Sequence, residues 1–174
     1  PGAIEGILSI MVGGESSDFE RAQPLFEVMG RTITHMGSLG SGGFTKLANQ
    51  IIVAINLTAM GEALVFGARS GVNPRKMIQA LSGGMAASRC LEQKSEKILS
   101  GDLAPGFKID LHQKDLGLVQ AAAASLGVPI PTTALVQQFL RAMQARSRGG
   151  DDHSGIIQFF EELTGTEVRD PSVP

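Results

Sequence analysis

Apolar and polar positions divide the chain into a short N-terminal part with strand-like runs and a longer part with helical periodicity. The apolar run Gly6–Gly14 ends in glycines, which predicts a buried strand. From Ser16 to Gly30 the apolar residues recur at helical spacing, and Ser17 and Glu20 fit a capping box at the start of this helix. Residues 31–36 have the composition of a second short strand. This order of strand, helix and strand predicts a βαβ unit.

After Gly43 the periodicity is helical to the end of the chain, and glycines and prolines separate the segments. Asp110, with Gln113 three residues later, is predicted to cap one of these helices. The helices are predicted over residues 44–70, 74–82, 86–100, 110–125, 132–146 and 154–163.

These patterns predict a mainly α fold preceded by a small α/β remnant. Two parallel strands are too few for a stable sheet, so we expect residues 1–37 to be the end of a larger α/β domain. Residues 38–174 are expected to form an all-helical domain built on the long, buried 44–70 helix. The chain begins at Pro1 without an initiator methionine, which agrees with the interpretation that it is a fragment.

Composition excludes some classes of function. With 43% hydrophobic and 18% charged residues, the chain suits a folded globular protein. A net charge of −2 gives no electrostatic reason to expect nucleic acid or an anionic membrane as a partner, and the absence of Trp and Tyr weakens any base-stacking role. A single cysteine, Cys90, cannot form an internal disulfide, so a cytoplasmic location is expected. The longest apolar run, Ile51–Met60, is about half of the ~20 residues that a membrane span needs.

Lys46 is the main candidate for chemistry. The 44–70 helix contains only two other charged residues, Glu62 and Arg69, and both fall on the side away from Lys46 at 100° per residue. In the first turn of an apolar helix, both burial and the helix dipole disfavour an ammonium group. A lysine so placed can exchange a proton near neutral pH, as general acid/base catalysis requires. The alternative is a lysine with a buried stem and its amine in solvent.

The next candidates are polar residues near Lys46 and a second lysine, Lys114, with its neighbour. Asn49 and Gln50 lie within about a quarter turn of Lys46, where their amides can orient a substrate hydroxyl, hold the lysine or bond to a neighbouring helix. Lys114, beside Asp115, is predicted to lie in the first turn of its own helix, which suggests an anion or a carbonyl group as its partner.

Other motifs carry less information. The turn Gly37–Gly43 does not fit the templates for phosphate-binding loops, and it predicts a connection where the backbone passes closely, with or without a ligand beside it. No set of Cys and His residues has zinc spacing, and residues 151–153 are too local to enclose a metal, so no metal site is expected. Cys90 is interpreted as an ordinary buried thiol.

Two motifs together resemble the β-hydroxyacid dehydrogenases. The first is Gly37-x-x-Gly40-x-Gly42-x-x-x-Lys46-x-x-Asn49-Gln50, and the second is Gly106-Phe-x-x-Asp110-Leu-x-x-Lys114-Asp115-Leu116. Within this family, residues 46–50 and 150–154 look most similar to the 2-hydroxy-3-oxopropionate (tartronate semialdehyde) reductases, and the 3-hydroxyisobutyrate dehydrogenases are the nearest alternative.

The resemblance implies an N-terminal Rossmann domain that binds NAD or NADP, of which residues 1–37 would be the remnant. It also implies a helical domain that commonly mediates dimerisation, so a homodimer or homotetramer is expected. The dinucleotide fingerprint of the family would lie before Pro1, and this chain alone is therefore expected to be inactive. A different hypothesis is a non-catalytic helical oligomerisation module.

The resemblance also implies roles for individual residues. Lys46 would be the catalytic acid/base in the reduction of 2-hydroxy-3-oxopropionate to glycerate, with Asn49 assisting it. Asn49 and Gln50 would bind the substrate, a small 2-hydroxy-3-oxo acid, and Lys114 and Asp115 would contact the cofactor.

Overall fold

The computed structural model describes residues 2–169, which form a mainly helical protein with a two-stranded sheet. Strand β1 (Leu8–Val12), helix α1 (Ser16–Met29) and strand β2 (Gly30–His35) come first. The remaining α-helices are α2 (Ser41–Arg69), α3 (Pro74–Ser82), α4 (Arg89–Ser100), α5 (Ile109–Leu126), α6 (Pro131–Ala145) and α7 (Ile157–Thr164). A short 3₁₀ turn, His153–Ile156, leads directly into α7. The predicted mainly α fold class is confirmed.

The contacts divide the chain into two compact units. The first unit ends at Gln50 and the second begins at Ile51, so helix α2 passes through the boundary. Lys46, Asn49 and Gln50 therefore belong to the first unit, whereas Lys114 and Asp115 belong to the second.

The first unit contains the predicted strand, helix and strand. The prediction that the first strand is buried is wrong, because every residue of β1 is half-buried or exposed. Strands β1 and β2 pair in parallel, with Ile10 opposite Ile33 and Val12 opposite His35. The capping prediction for α1 is wrong, because the helix begins at Ser16 with Glu15 at its N-cap, so Ser17 lies inside the first turn.

Glycines bring the start of α2 against β1. A Cβ atom on Gly42 would lie 2.4 Å from the backbone oxygen of Met11, closer than real Cβ contacts. Gly37 and Gly40 have φ values of 102° and 93°, a region that favours glycine. The glycine-rich segment is thus the close backbone connection that the sequence predicts. It also forms the first turn of α2, so the helix begins three residues before the predicted position 44.

Helix α2 is buried along one face only, which corrects the prediction of a wholly buried helix. Leu57 and Leu64 are fully enclosed, whereas Ile52 is 61% exposed and Phe66 is 74% exposed on another face. By length and composition, α2 is also apolar enough to cross a membrane, unlike the shorter run that we considered in the sequence. The core helix of a soluble protein meets the same test, and the buried Leu57 and Leu64 fit that alternative.

The second unit packs its helices around an aliphatic core. Helix α5 packs against α6, and α3 packs against α4. Three predicted helix starts are wrong, and one of them is that of α7, which begins at Ile157 and not at 154 because residues 153–156 form the 3₁₀ turn. Helix α4 begins at Arg89, because the Ser88 side chain accepts the Leu91 N–H as its cap, and α5 has Lys108, not Asp110, at its N-cap. The large apolar side chains that are fully buried in this unit are Leu57, Leu64, Ile98, Leu99, Ile109, Leu116, Val136, Leu140, Met143, Ile156 and Ile157.

Candidate functional site

Lys46 lies on α2 in a different setting from the one that the sequence predicts. Because the helix begins at Ser41, Lys46 is its sixth residue and lies beyond the first turn. Its side chain is exposed rather than buried. The two arguments from burial and from the helix dipole therefore do not hold for this lysine, and its chemistry has to follow from its neighbours.

Two amide side chains next to Lys46 form a hydrogen-bonded group with it. Lys46 Nζ donates to Gln50 Oε1 at 3.1 Å, and Asn49 Nδ2 donates to the same oxygen at 3.0 Å. Gln50 is only 3% exposed, whereas Asn49 is half-buried. The structure thus brings together the three residues that the sequence selects on α2, and Gln50 is the buried acceptor that joins the other two.

A cavity of about 390 Å³ adjoins this group. Lys46 and Asn49 line it on the helix side, and Ser9, Ile10 and Met11 of strand β1 line it on the other. Gln50 is not among the lining residues and is almost fully buried. The sequence analysis missed the strand residues. The only signal in the sequence was the presence of glycine at 13 and 42, where the end of β1 and the start of α2 lie too close for a Cβ atom.

The arrangement suits a carbonyl or hydroxyl group in the cavity. An ammonium group has three N–H donors, and one of those on Lys46 points at Gln50, so the others remain for a ligand oxygen. The half-buried amide of Asn49 adds a second polar group on the same wall. The cavity can therefore bind a small polar molecule and supply a proton to it.

Lys114 and Asp115 form a pair of their own in the second unit. Lys114 Nζ lies 3.0 Å from Asp115 Oδ1, and the lysine side chain is 63% exposed while that of Asp115 is 15% exposed. The first-turn prediction for Lys114 is wrong, because α5 begins at Ile109 and Lys114 is its sixth residue.

A buried carboxylate, Asp152, organises the loop before α5, and the sequence analysis missed this role. Lys94 Nζ donates to both of its oxygens at 2.9 Å, and the backbone N–H groups of Gly106 and Phe107 donate at 2.8 and 3.2 Å. Ser154 Oγ donates at 2.7 Å. Burial alone would raise the pKa of Asp152, but the hydrogen bonds from Ser154, Lys94 and Gly106 hold it well below its usual range.

These bonds fix the segment from which α5 starts. His153 N–H donates to the Phe107 carbonyl at 2.8 Å, and Ile109 N–H donates to the Asp151 carbonyl at 3.0 Å. The loop before α5 is therefore tied to residues 151–154 on both sides of Asp152. Lys94 lies 58 residues from Asp152 in the chain, which explains why no local motif reveals the pair.

Two other candidates from the sequence have structural explanations. Cys90 is half-buried, and burial raises the pKa of its thiol, so it suits an unreactive thiol. Asp110 lies in the first turn of α5, where its backbone N–H donates to the Gly149 carbonyl at 3.0 Å. Within residues 2–169, the His, Cys, Asp and Glu side chains form no group of three or more that could hold a metal ion.

Comparison with known proteins gives two family matches that together cover most of the chain. The family described as "NAD-binding of NADP-dependent 3-hydroxyisobutyrate dehydrogenase" matches residues 40–160. The NAD-binding domain of 6-phosphogluconate dehydrogenase matches residues 1–37.

Individual proteins agree with these matches. Over 167 residues, the chain is 47% identical to 2-hydroxy-3-oxopropionate reductase from Escherichia coli, covering 96% of this chain and 57% of that protein. It is 39% identical to 2-(hydroxymethyl)glutarate dehydrogenase from Eubacterium barkeri, covering 96% and 56%. The crystal structure of Mycobacterium tuberculosis 3-hydroxyisobutyrate dehydrogenase with L-serine matches with a TM-score of 0.82 and 27% identity, covering 91% of this chain and 57% of that one. The chain thus spans a little over half the length of these relatives.

Proposed function

The chain belongs to the 3-hydroxyisobutyrate dehydrogenase family, and on that premise we propose that it forms the lysine-bearing part of a nicotinamide-dependent reductase of small 2-hydroxy-3-oxo acids. The proposed reaction is the reduction of 2-hydroxy-3-oxopropionate to glycerate. The observation that carries this proposal is the exposed Lys46 ammonium beside a cavity that Asn49 also lines. The 47% identity to a 2-hydroxy-3-oxopropionate reductase supports the choice of substrate.

Lys46 is the proposed general acid of the reduction and the general base of the reverse oxidation. Its ammonium can donate a hydrogen bond to a carbonyl oxygen in the cavity and pass a proton to that oxygen as negative charge develops on it. A bound nicotinamide would supply the hydride to the carbonyl carbon. Asn49, on the same wall, is proposed to bind the substrate.

The residues of this chain fit the reacting end of such a cofactor but not its phosphates. Lys46 provides the proton donor that carbonyl reduction needs. The spacing of the glycine-rich turn does not fit the phosphate-binding templates, and at Gly42 the backbone of Met11 occupies the space that a ligand would need. Lys114 and Asp115 are the proposed contacts to NAD or NADP, since an exposed ammonium next to a carboxylate can bind the polar groups of the cofactor.

The same proposal extends to the organisation of the protein. Residues 1–37 are proposed to belong to a Rossmann domain and residues 38–174 to the helical domain, in line with the ranges of the two family matches. Assembly as a homodimer or homotetramer through the helical domain is supported by the exposed Ile52 and Phe66 of α2. A cytoplasmic location is proposed with it.

Replacement of Lys46 tests the proposed function. In the full-length protein with its cofactor, Lys46→Ala should lower kcat by about 10²- to 10⁴-fold, the usual contribution of a general acid, with a much smaller change in KM. Steady-state kinetics with 2-hydroxy-3-oxopropionate measures both. The matched control is Lys76→Ala, which removes an exposed lysine from α3 and should leave kcat unchanged. A Lys46→Ala enzyme with near-normal kcat would contradict the proposal.

A specific substrate alternative is a 3-hydroxyisobutyrate dehydrogenase-like activity. The match to the Mycobacterium tuberculosis enzyme of that name supports it. The two reactions share the chemistry at Lys46. They differ in the substituent on the carbon next to the reacting carbon, which is a hydroxyl in glycerate and a methyl in 3-hydroxyisobutyrate.

A further inference from the structure

We infer that Gln50 is a positioning residue that turns the Asn49 amide so that its oxygen faces the cavity, where it accepts a hydrogen bond from a hydroxyl of the substrate. This inference rests on the proposed function and adds the group that selects between its two substrates. It also changes the role of Gln50 from the substrate contact that the sequence predicts to a residue that acts through Lys46 and Asn49.

The first step is the double use of one buried oxygen. Gln50 Oε1 accepts from Lys46 Nζ at 3.1 Å and from Asn49 Nδ2 at 3.0 Å, while the Gln50 side chain is almost fully enclosed. An amide oxygen has two lone pairs, so these two bonds use its full capacity as an acceptor. The geometry makes Gln50 a fixed anchor for both neighbouring side chains.

The second step is the orientation of Asn49. Its NH₂ group points at Gln50, so the other end of the amide, which is the acceptor oxygen, is turned away from Gln50. Asn49 is half-buried and lines the cavity, whereas Gln50 does not. The Asn49 amide therefore presents an acceptor on the same wall as the Lys46 donor.

The third step is the chemistry that such a wall selects. A carbonyl or alkoxide oxygen suits the Lys46 ammonium, and an adjacent hydroxyl can donate to Asn49 Oδ1. A methyl group in place of that hydroxyl cannot donate, and it leaves the amide oxygen without its partner when the ligand excludes water. The wall should thus favour 2-hydroxy over 2-methyl acids.

The experiment compares two stable alcohols in the oxidative direction. The full-length enzyme is assayed with glycerate and with 3-hydroxyisobutyrate, and kcat/KM is measured for each. We expect the wild-type enzyme to prefer glycerate by at least about tenfold, the value of one well-placed hydrogen bond. Gln50→Met, which removes the acceptor at similar length, should bring the ratio towards one and lower kcat. Gln93→Met, at an exposed site on α4, is the matched control and should change neither.

A second variant separates positioning from simple structural support. Gln50→Glu keeps an acceptor oxygen for Lys46 and Asn49, so it should retain the preference for glycerate. Its carboxylate should also stabilise the charged form of the adjacent lysine, so the rise of the oxidation rate with pH should move to higher pH. Asn49→Leu should lose the preference for glycerate but keep the wild-type pH profile. If Gln50→Met does not fold, Asn49→Leu tests the substrate preference in its place.

The outcomes distinguish the inference from the proposed function. A Gln50→Met enzyme with the wild-type ratio would overturn the inference alone. A wild-type enzyme that prefers 3-hydroxyisobutyrate would overturn both the inference and the proposed choice of 2-hydroxy-3-oxopropionate as substrate. A Gln50→Glu enzyme with an unchanged pH profile would also contradict a positioning role. A wild-type enzyme that oxidises neither acid would instead overturn the proposed function.

Discussion

Two histidines lie in contact inside the second unit, close to the buried carboxylate Asp152. His153 Nδ1 and His112 Nδ1 are 3.2 Å apart, and both rings are almost fully enclosed. Burial, followed by the nearby charges of Lys94 and His112, lowers the pKa of His153 to about 3, against a smaller opposing effect of Asp152. The folded protein therefore binds fewer protons than the unfolded chain between this value and the ordinary histidine pKa of about 6.5.

This difference predicts a loss of stability in mild acid. The contribution of the buried, neutral His153 to stability is complete above about pH 6.5 and falls as the pH drops towards 3. At pH 5 the free energy of unfolding should be lower by about 2 kcal/mol. Urea denaturation at pH 7.5 and pH 5 measures it. His153→Gln should be less stable than the wild type at pH 7.5 but should lose much less stability on going to pH 5. An equal loss in the variant would show that His153 is not the group responsible.

At the scale of residues, the sequence was sufficient for pairs that lie close in the chain. Lys46, Asn49 and Gln50 share one face of α2, and their grouping follows from helical spacing alone. The exposure of Lys46 did not follow, because burial depends on which elements cover a helix and not on its own composition. The Lys94–Asp152 pair also could not be predicted from the sequence, since the two residues are 58 positions apart.

Among the elements, the start of α2 depends on two adjacent glycines with different surroundings. A Cβ on Gly42 would meet the Met11 carbonyl oxygen at 2.4 Å, whereas a Cβ on Gly43 would meet nothing within 4 Å. Gly42→Ala should therefore push α2 away from β1 and destabilise the protein by about 1–3 kcal/mol. Gly43→Ala, the matched control, should be neutral or stabilising by up to about 1 kcal/mol, because alanine favours the helix. Thermal denaturation of both variants compares them, and equal melting temperatures would contradict this explanation.

Element types were easier to predict from the sequence than element boundaries. Each predicted strand and helix is present, because hydrophobic periodicity reports the face that packs. Compared with the predicted positions, α2 starts three residues earlier and α4 starts three residues later. In α2 the helix extends back over Gly42 and Gly43, and Gly42 packs against the backbone of Met11, while in α4 the Ser88 cap delays the helix.

For the whole molecule, the proposed assembly predicts a specific surface. Phe66 and Leu163 are exposed on a groove of about 350 Å³ that Val65 and Phe160 also line, and an apolar groove of this kind suits a protein contact. Phe66→Glu should shift the full-length protein towards monomer in sedimentation velocity. Leu126→Glu, at an exposed leucine on α5, should not. A native mass unchanged by Phe66→Glu would place the interface elsewhere.

The Lys94–Asp152 pair also has a consequence for the order in which the protein is made. Lys94 is synthesised 58 residues before Asp152, a delay of roughly 3 to 12 s at ~5–20 residues per second. During that time the amide groups of Gly106 and Phe107 lack the carboxylate that later binds them. The second unit can therefore close only after Asp152 has been synthesised, when this one acidic side chain joins α4 to the loop before α5.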